Sequence, residues 1–534
     1  MIDPLPSTDG TAQALTMAAN DEALTPLSFL ERSARVHGSR VAVVDGEVGF
    51  TYAEWLIRAQ GLAGHLRSLG VEPGERVAVL ANNSEPVLLA HFAVPMAGAD
   101  LVAINTRLGP HEVSYILEHS GARVALVGPQ YRELVAQRPE VTQVVLDETF
   151  DEVVAAGRES YQGWHVADER ASISVNYTSG TTGRPKGVVY HHRGAYLNAL
   201  AMTLDHRVSA ESTYLWTLPM FHCNGWTFPW ATVAVGARNL CVPSIDPQQI
   251  WDLCSSGEVT HLCAAPTVLT MLAESEAARE LPAPVRLVTA GAPPAPTIIQ
   301  RMEDLGFFVD HVYGLTETYG PFTVNVTDRE LHPRDDPDHY RVRARQGFAN
   351  VAAGSVQVLD GDGREVPADG QSLGEVCMRG NVVMTGYLGD PEATEEAFAG
   401  GWFHSGDLAV VHEDGQIELR DRKKDLVISG GENISTVEVE QVVVQHPAVA
   451  ECGVVSRPDQ RWGEVPVAFV TLRRGASVTE AELREHCRER MAHFKCPAQF
   501  VVTDLPKTAT GKILKAELRQ RATEVAPGAV RLDS

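Results

Sequence analysis

The stretch Tyr177-Thr178-Ser179-Gly180-Thr181-Thr182-Gly183-Arg184-Pro185-Lys186-Gly187 decides the reading of this chain. Thr178, Ser179, Thr181 and Thr182 put four aliphatic hydroxyls around two glycines, and one ammonium, Lys186, follows. Glycine lets backbone amides come close to a ligand and line an anion-binding concavity. Hydroxyls and an ammonium add hydrogen bonds and charge for phosphate oxygens. The plain alternative is a flexible surface loop, but the order of residue types over the whole stretch speaks against it. A Walker loop needs Gly-x4-Gly-Lys-Ser/Thr, whereas Pro stands at 185 and Gly187 follows Lys186. The stretch is therefore read as a triphosphate loop of another kind.

Working outward, Ser172-Ile173-Ser174-Val175-Asn176-Tyr177 alternates as a strand, and a helical segment leads out from about Gly194. That predicts a strand–loop–helix setting. Apolar runs such as Arg76–Leu80, Val124–Val127 and Gln143–Leu146 alternate with helical patterns over Ala53–Leu69 and Glu112–Ser120. Such alternation predicts α/β layering with largely parallel sheets. After Gly415 the pattern changes to short strands and helices, with the charged patch Asp421–Asp425 between the two regimes. The expected fold class is α/β: a large N-terminal multi-sheet α/β domain at 25–423, then a small α+β domain at 424–534. Residues 1–24 read as a frayed tail.

With 534 residues the chain exceeds one ordinary core. A net charge of −24 argues against nucleic acid and anionic membrane surfaces as partners. Residues 1–31 hold no Lys or Arg, which excludes a secretory n-region at this end. The eight cysteines lack C-x-x-C spacing and read as reduced thiols, so the expected compartment is the cytosol. Ser212–Ala237 carries no Lys, Arg, Asp or Glu and is long enough to span a bilayer. Its Pro219, His222, Asn224, Gly225, Pro229 and Gly236 instead predict a buried segment lining a ligand cavity.

Six further motifs follow the loop in order: Ala290-Gly291-Ala292-Pro293, Tyr313-Gly314-Leu315-Thr316-Glu317, Trp402–Asp407, Asp421–Asp425, Ser429–Asn433 and Pro506–Lys512. With the loop, they resemble the signature of the adenylate-forming superfamily, which includes acyl-CoA synthetases, luciferases and peptide-synthetase adenylation domains. The resemblance spans about residues 25 to 522. It implies an enzyme using ATP, Mg²⁺ and CoA to activate a carboxylic acid as an acyl-adenylate and pass the acyl group to CoA. An adenylating enzyme with an amine, carrier-protein thiol or nitrite in the reaction is the alternative.

The resemblance also assigns residues. Thr178, Ser179, Gly180, Thr181, Thr182, Gly183 and Lys186 would cradle the β- and γ-phosphates. Thr316 would meet the α-phosphate and Glu317 the magnesium ion. Tyr313, Gly314, Gly291, Ala292 and Pro293 would flank adenine, while Asp407 and Arg422 would hold the ribose. Lys512 is the expected catalytic cation. Lys424 would be the pivot of a mobile small domain, after whose rotation Gly430 and Gly431 flank the pantetheine arm. The wording of Pro219–Trp226, with Trp230, looks most like short- and medium-chain or aromatic acyl-CoA ligases, His222 being the gate over the carboxylate. A homodimer is left open.

Overall fold

The computed structural model describes residues 22–178, 184–326, 333–430, 432–507 and 512–524. Two large twisted sheets dominate the first 350 residues or so. The first runs, in spatial order, through Phe348–Ala349, Gly320–Val324, Phe307–Leu315, Val285–Thr289, His261–Ala264, Thr213–Trp216, Arg238–Cys241, Val41–Asp45 and Val48–Thr51. Its middle strands are parallel and its edges antiparallel. The second runs through Gly386–Tyr387, Lys186–His191, Ser172–Thr178, Asp100–Ala103, Arg76–Leu80, Val124–Val127 and Thr142–Val145. Strands such as Asp100–Ala103 and Val124–Val127 are buried along their whole length, as helix-covered parallel strands must be.

Local signals set the helices between these sheets. Helix Tyr52–Ser68 starts on a Thr51 cap, whose hydroxyl accepts from the Glu54 amide while Glu54 reaches back. Helix Glu85–Met96 is buried on nearly every face, which requires packed layers on both sides of it. One core joins Trp55, Phe92, Trp216, Trp230 and Phe322.

The expected strand–loop–helix setting is corrected. Lys186–His191 is a strand, paired antiparallel with Ser172–Thr178 so that Thr178 faces Lys186. The phosphate loop thus joins two neighbouring strands, and helix His192–Asp205 begins only after the second. The β-branched and aromatic run Val188-Val189-Tyr190 suits a largely buried strand.

A four-stranded antiparallel sheet follows, ordered Ser355–Leu359, Gly374–Arg379, Phe403–Val411, Ile417–Arg422. The smaller C-terminal lobe is built on Glu432–Ile434, Val427–Ser429, Gly463–Leu472 and Val449–Asp459, with Gln499–Val502 added parallel to Gly463–Leu472. It has its own core, including Val439, Val454, Ala468, Leu483 and Phe500. The mixed α/β class and the large-then-small arrangement are those expected. The 1–24 tail lies almost wholly outside the described residues. Among the described residues no helix is long and apolar enough to cross a membrane.

Candidate active site

The candidate site is built around the C-terminal end of a strand of the first large sheet. The strand Phe307–Leu315 ends in the one-turn segment Thr316–Thr318. Gly314 must be glycine here, because a Cβ would lie 1.8 Å from the Gly320 carbonyl oxygen on the antiparallel return. The turn is braced from two sides: Tyr190 Oη donates to the Thr316 carbonyl at 2.6 Å, and the Met384 amide to the Glu317 carbonyl at 2.8 Å.

Lys186, opposite Thr178 on the hairpin, holds its Nζ 4.7 Å from the centre of the Tyr387 ring. Tyr387 in turn donates its hydroxyl to Glu317 Oε1 at 2.9 Å. Burial pushes the Glu317 carboxyl up, and the Tyr387 hydrogen bond only partly opposes this. Tyr387 is a residue sequence reasoning missed. Ser179, Gly180, Thr181, Thr182 and Gly183 lie outside the described residues.

Across the cleft, Tyr313 donates its hydroxyl to Asp407 Oδ2 at 2.8 Å, and Arg422 Nε lies 3.1 Å from Asp407 Oδ1. Asp407 and Arg422 are cross-strand neighbours, so the sheet itself sets this pair. Burial, then the Asp407 charge, pushes the Tyr313 phenol far up, keeping it a donor. Gly291, at φ 94°, opens the exposed turn through Ala292 and Pro293 after strand Val285–Thr289.

His222 and Cys223 stand at the other end. Cys223 Sγ is 3.8 Å from His222 Nε2 and 3.4 Å from Thr316 Oγ1. Burial, with a smaller contribution from Lys512, holds the His222 ring down to about 4, so the imidazole is neutral. The backbone from Cys223 to Thr227 is left-handed throughout, with φ of 47°, 41°, 51°, 54° and 64°. Such backbone costs about 1–2 kcal/mol per non-glycine residue, and strain of this kind collects at functional sites. Trp226 packs beside Gly320. Trp230 is fully buried and donates Nε1–H to the His91 carbonyl at 3.1 Å, as a core residue would.

Lys512 comes from the small lobe. Its ammonium is pushed down to about 8, first by burial and then by Arg422, with Asp407 opposing. Its side chain is nonetheless reached by solvent. It therefore sits in an open cleft between the lobes, not in a sealed core. Lys424 is also pushed down to about 8, by burial and then Arg422 and Arg519. Gly430 has φ 61°, with its amide donating to the Trp462 carbonyl at 2.7 Å. Gly431 is outside the described residues.

Of the predicted residues, Thr316, Glu317, Tyr313, Asp407, Arg422, His222 and Lys512 thus share one cleft, with Thr178 and Lys186 on the adjoining hairpin.

The AMP-binding enzyme family model matches residues 30–388, and the model of the AMP-binding enzyme C-terminal domain matches 438–512. This chain belongs to that family. It is 42% identical to a peroxisomal acetate/butyrate–CoA ligase of Arabidopsis thaliana, over 95% of this chain and 96% of the relative. It is 41% identical to a 4-hydroxybutyrate–CoA ligase of Metallosphaera sedula, over 93% and 94% of the two chains. Among solved structures, the O-succinylbenzoate CoA synthetase of Bacillus subtilis with ATP and magnesium superposes with a TM-score of 0.80 at 28% identity, covering 92% of this chain and 98% of that one. The protein is an AMP-forming acyl-CoA ligase with the two-lobed architecture of these enzymes.

Proposed function

We propose that this ligase activates a short- or medium-chain, or aromatic, carboxylic acid at the cleft between the lobes. The observation that carries the reading is the electrostatic coupling of Lys512, from the small lobe, to Asp407, Arg422 and His222 of the large lobe. A carboxylate oxygen attacks the α-phosphorus of ATP, the bond to pyrophosphate breaks, and the acyl-adenylate forms. Lys512 stabilises the charge shared by the attacking carboxylate and the α-phosphate. Thr178, Lys186 and the 179–183 loop hold the β- and γ-phosphates, and Thr316 the α-phosphate. Asp407, its geometry fixed by Tyr313 and Arg422, takes the ribose hydroxyls. The Tyr313 ring and the Gly291–Pro293 turn flank adenine.

Glu317 suits Mg²⁺. It is a half-buried carboxylate whose side-chain donor among the described residues is a neutral phenol. Mg²⁺ favours one or two carboxylates together with phosphate oxygens, and bound there it would shield the triphosphate charge.

The neutral His222 lies beside the acid carboxylate, and the apolar segment 219–227, strained from Cys223 to Thr227, shapes the acid pocket. In the second half-reaction the small domain, 424–534, turns about Lys424 and withdraws Lys512. Gly430 and Gly431 then flank the pantetheine arm, and the CoA thiolate displaces AMP from the acyl carbon. Short acids fit the names of the two relatives. All eight cysteines are free thiols, which fits a reducing compartment such as the cytosol.

The test is a panel of carboxylic acids scored by pyrophosphate release, with and without CoA. Turnover restricted to short- or medium-chain or aromatic acids, and dependent on CoA, supports the reading. Preference for long-chain acids, or AMP release that an amine drives as well as CoA, would overturn it.

A further inference from the structure

A second cavity, of about 360 Å³, opens next to the adenylation cleft. Three arginines from separate segments, Arg170, Arg193 and Arg379, line it together with His191. Met378, Val383, Phe398 and Phe403 supply an apolar wall, and no carboxylate is among the lining residues. In a chain with 69 acidic against 45 basic residues, a cavity lined by three arginines and no acid is unusual.

The cations are under-used within the protein. Arg170 and Arg379 make no side-chain ion pair among the described residues, whereas Arg193 reaches Glu169 only at 3.5 Å. Arg193 Nε is buried without a hydrogen-bond partner. His191 adds a directed donor. Its Nδ1 accepts from the Gly194 amide at 2.8 Å, so in the neutral ring the hydrogen sits on Nε2.

We propose that this cavity binds an amphipathic organic anion, an oxyanion head (carboxylate or phosphate monoester) on an apolar body, as a site separate from the adenylation cleft. The arginines meet the head in charge-assisted, fork-like hydrogen bonds, and the phenylalanine and methionine side chains cover the body. The ligand lies one hydrogen bond from the catalytic turn, because Met384, which also lines the cavity, donates its amide to the Glu317 carbonyl.

Calorimetric titration of the full chain tests this, with the adenylation cleft filled by a non-hydrolysable acyl-sulfamoyl adenosine. The probes are octanoate, octyl phosphate and inorganic phosphate. One-to-one saturable binding of octanoate or octyl phosphate is expected, with inorganic phosphate much weaker. Arg379→Ala should weaken binding by roughly tenfold or more, the loss expected for hydrogen bonds to a charged group. Arg379 is exposed and without an ion partner among the described residues, so its removal leaves the fold in place. Arg521→Ala, on the small lobe, should change nothing. Absence of saturable binding, equal loss in the Arg521 variant, or inorganic phosphate binding as tightly as octanoate would overturn the proposal. Binding is read here without turnover, so the outcome does not depend on which acid or acceptor the ligase uses.

Discussion

Tyr387 donates its hydroxyl to Glu317 at 2.9 Å while the same ring faces the Lys186 ammonium 4.7 Å from its centre. One aromatic side chain therefore couples the cation of the phosphate hairpin to the carboxylate of the catalytic turn. The strand Gly386–Tyr387 gains this position by pairing with Val188 and Val189 on that hairpin.

Tyr387→Phe keeps the ring and removes the donor. The Glu317 carboxylate then loses a hydrogen bond, a loss of about 1.5–3 kcal/mol for a charged acceptor. Adenylation should need more Mg²⁺ for half-maximal rate, by roughly tenfold or more. Pyrophosphate release followed across a Mg²⁺ titration reads this out, and an unchanged Mg²⁺ requirement would remove Tyr387 from the site.

The acid and base limbs of the rate profile have assigned groups. Lys512 is held down to about 8, so its ammonium is lost as pH rises through about 8. Glu317 is pushed up by burial, so its carboxylate is lost at a higher pH than an ordinary Glu as pH falls. The profile of kcat/KM for ATP, which reports the free enzyme, should therefore be a bell. Its alkaline limb should vanish in Lys512→Ala, measured on the residual rate. An alkaline limb that survives there belongs to another group.

Gly314→Ala tests the packing under the site. Its Cβ would meet the Gly320 carbonyl at 1.8 Å, and the strand pair must separate to admit it. Overpacking of this kind costs about 1–3 kcal/mol or more. A lower melting temperature is expected, together with weakened ATP binding, since the displaced strand carries Tyr313. Wild-type stability in this variant would mean the strand pair is more pliant than its geometry indicates.

Much of this was legible in the sequence, because the catalytic groups sit in short motifs whose residue types state their chemistry: Thr316 with Glu317, Asp407 with Arg422, and Lys512 beside Gly511. The hairpin around the phosphate loop was not, since Gly183, Pro185 and Gly187 punctuate the chain just where the strand Lys186–His191 begins. Tyr387 could not be found either. Its role arises from pairing across the sheet to residues some two hundred positions earlier, and nothing in Thr385-Gly386-Tyr387 announces it. The left-handed run at Cys223–Thr227 had only Asn224-Gly225 as a local sign, for Cys, Trp and Thr rarely adopt positive φ. Trp230, read as a pocket residue, is held in the interlayer core by a bond to a helix carbonyl that spacing alone does not reveal.

The central claim is that Lys512 serves adenylation in the arrangement described and is withdrawn before thioester formation. Its most direct test is Lys512→Ala assayed in the two half-reactions separately. Pyrophosphate release from ATP and acid should fall by about 3–4 kcal/mol of transition-state stabilisation, several hundredfold or more. Thioester formation from supplied acyl-adenylate and CoA should stay near wild type. An equal loss in both half-reactions would contradict the account.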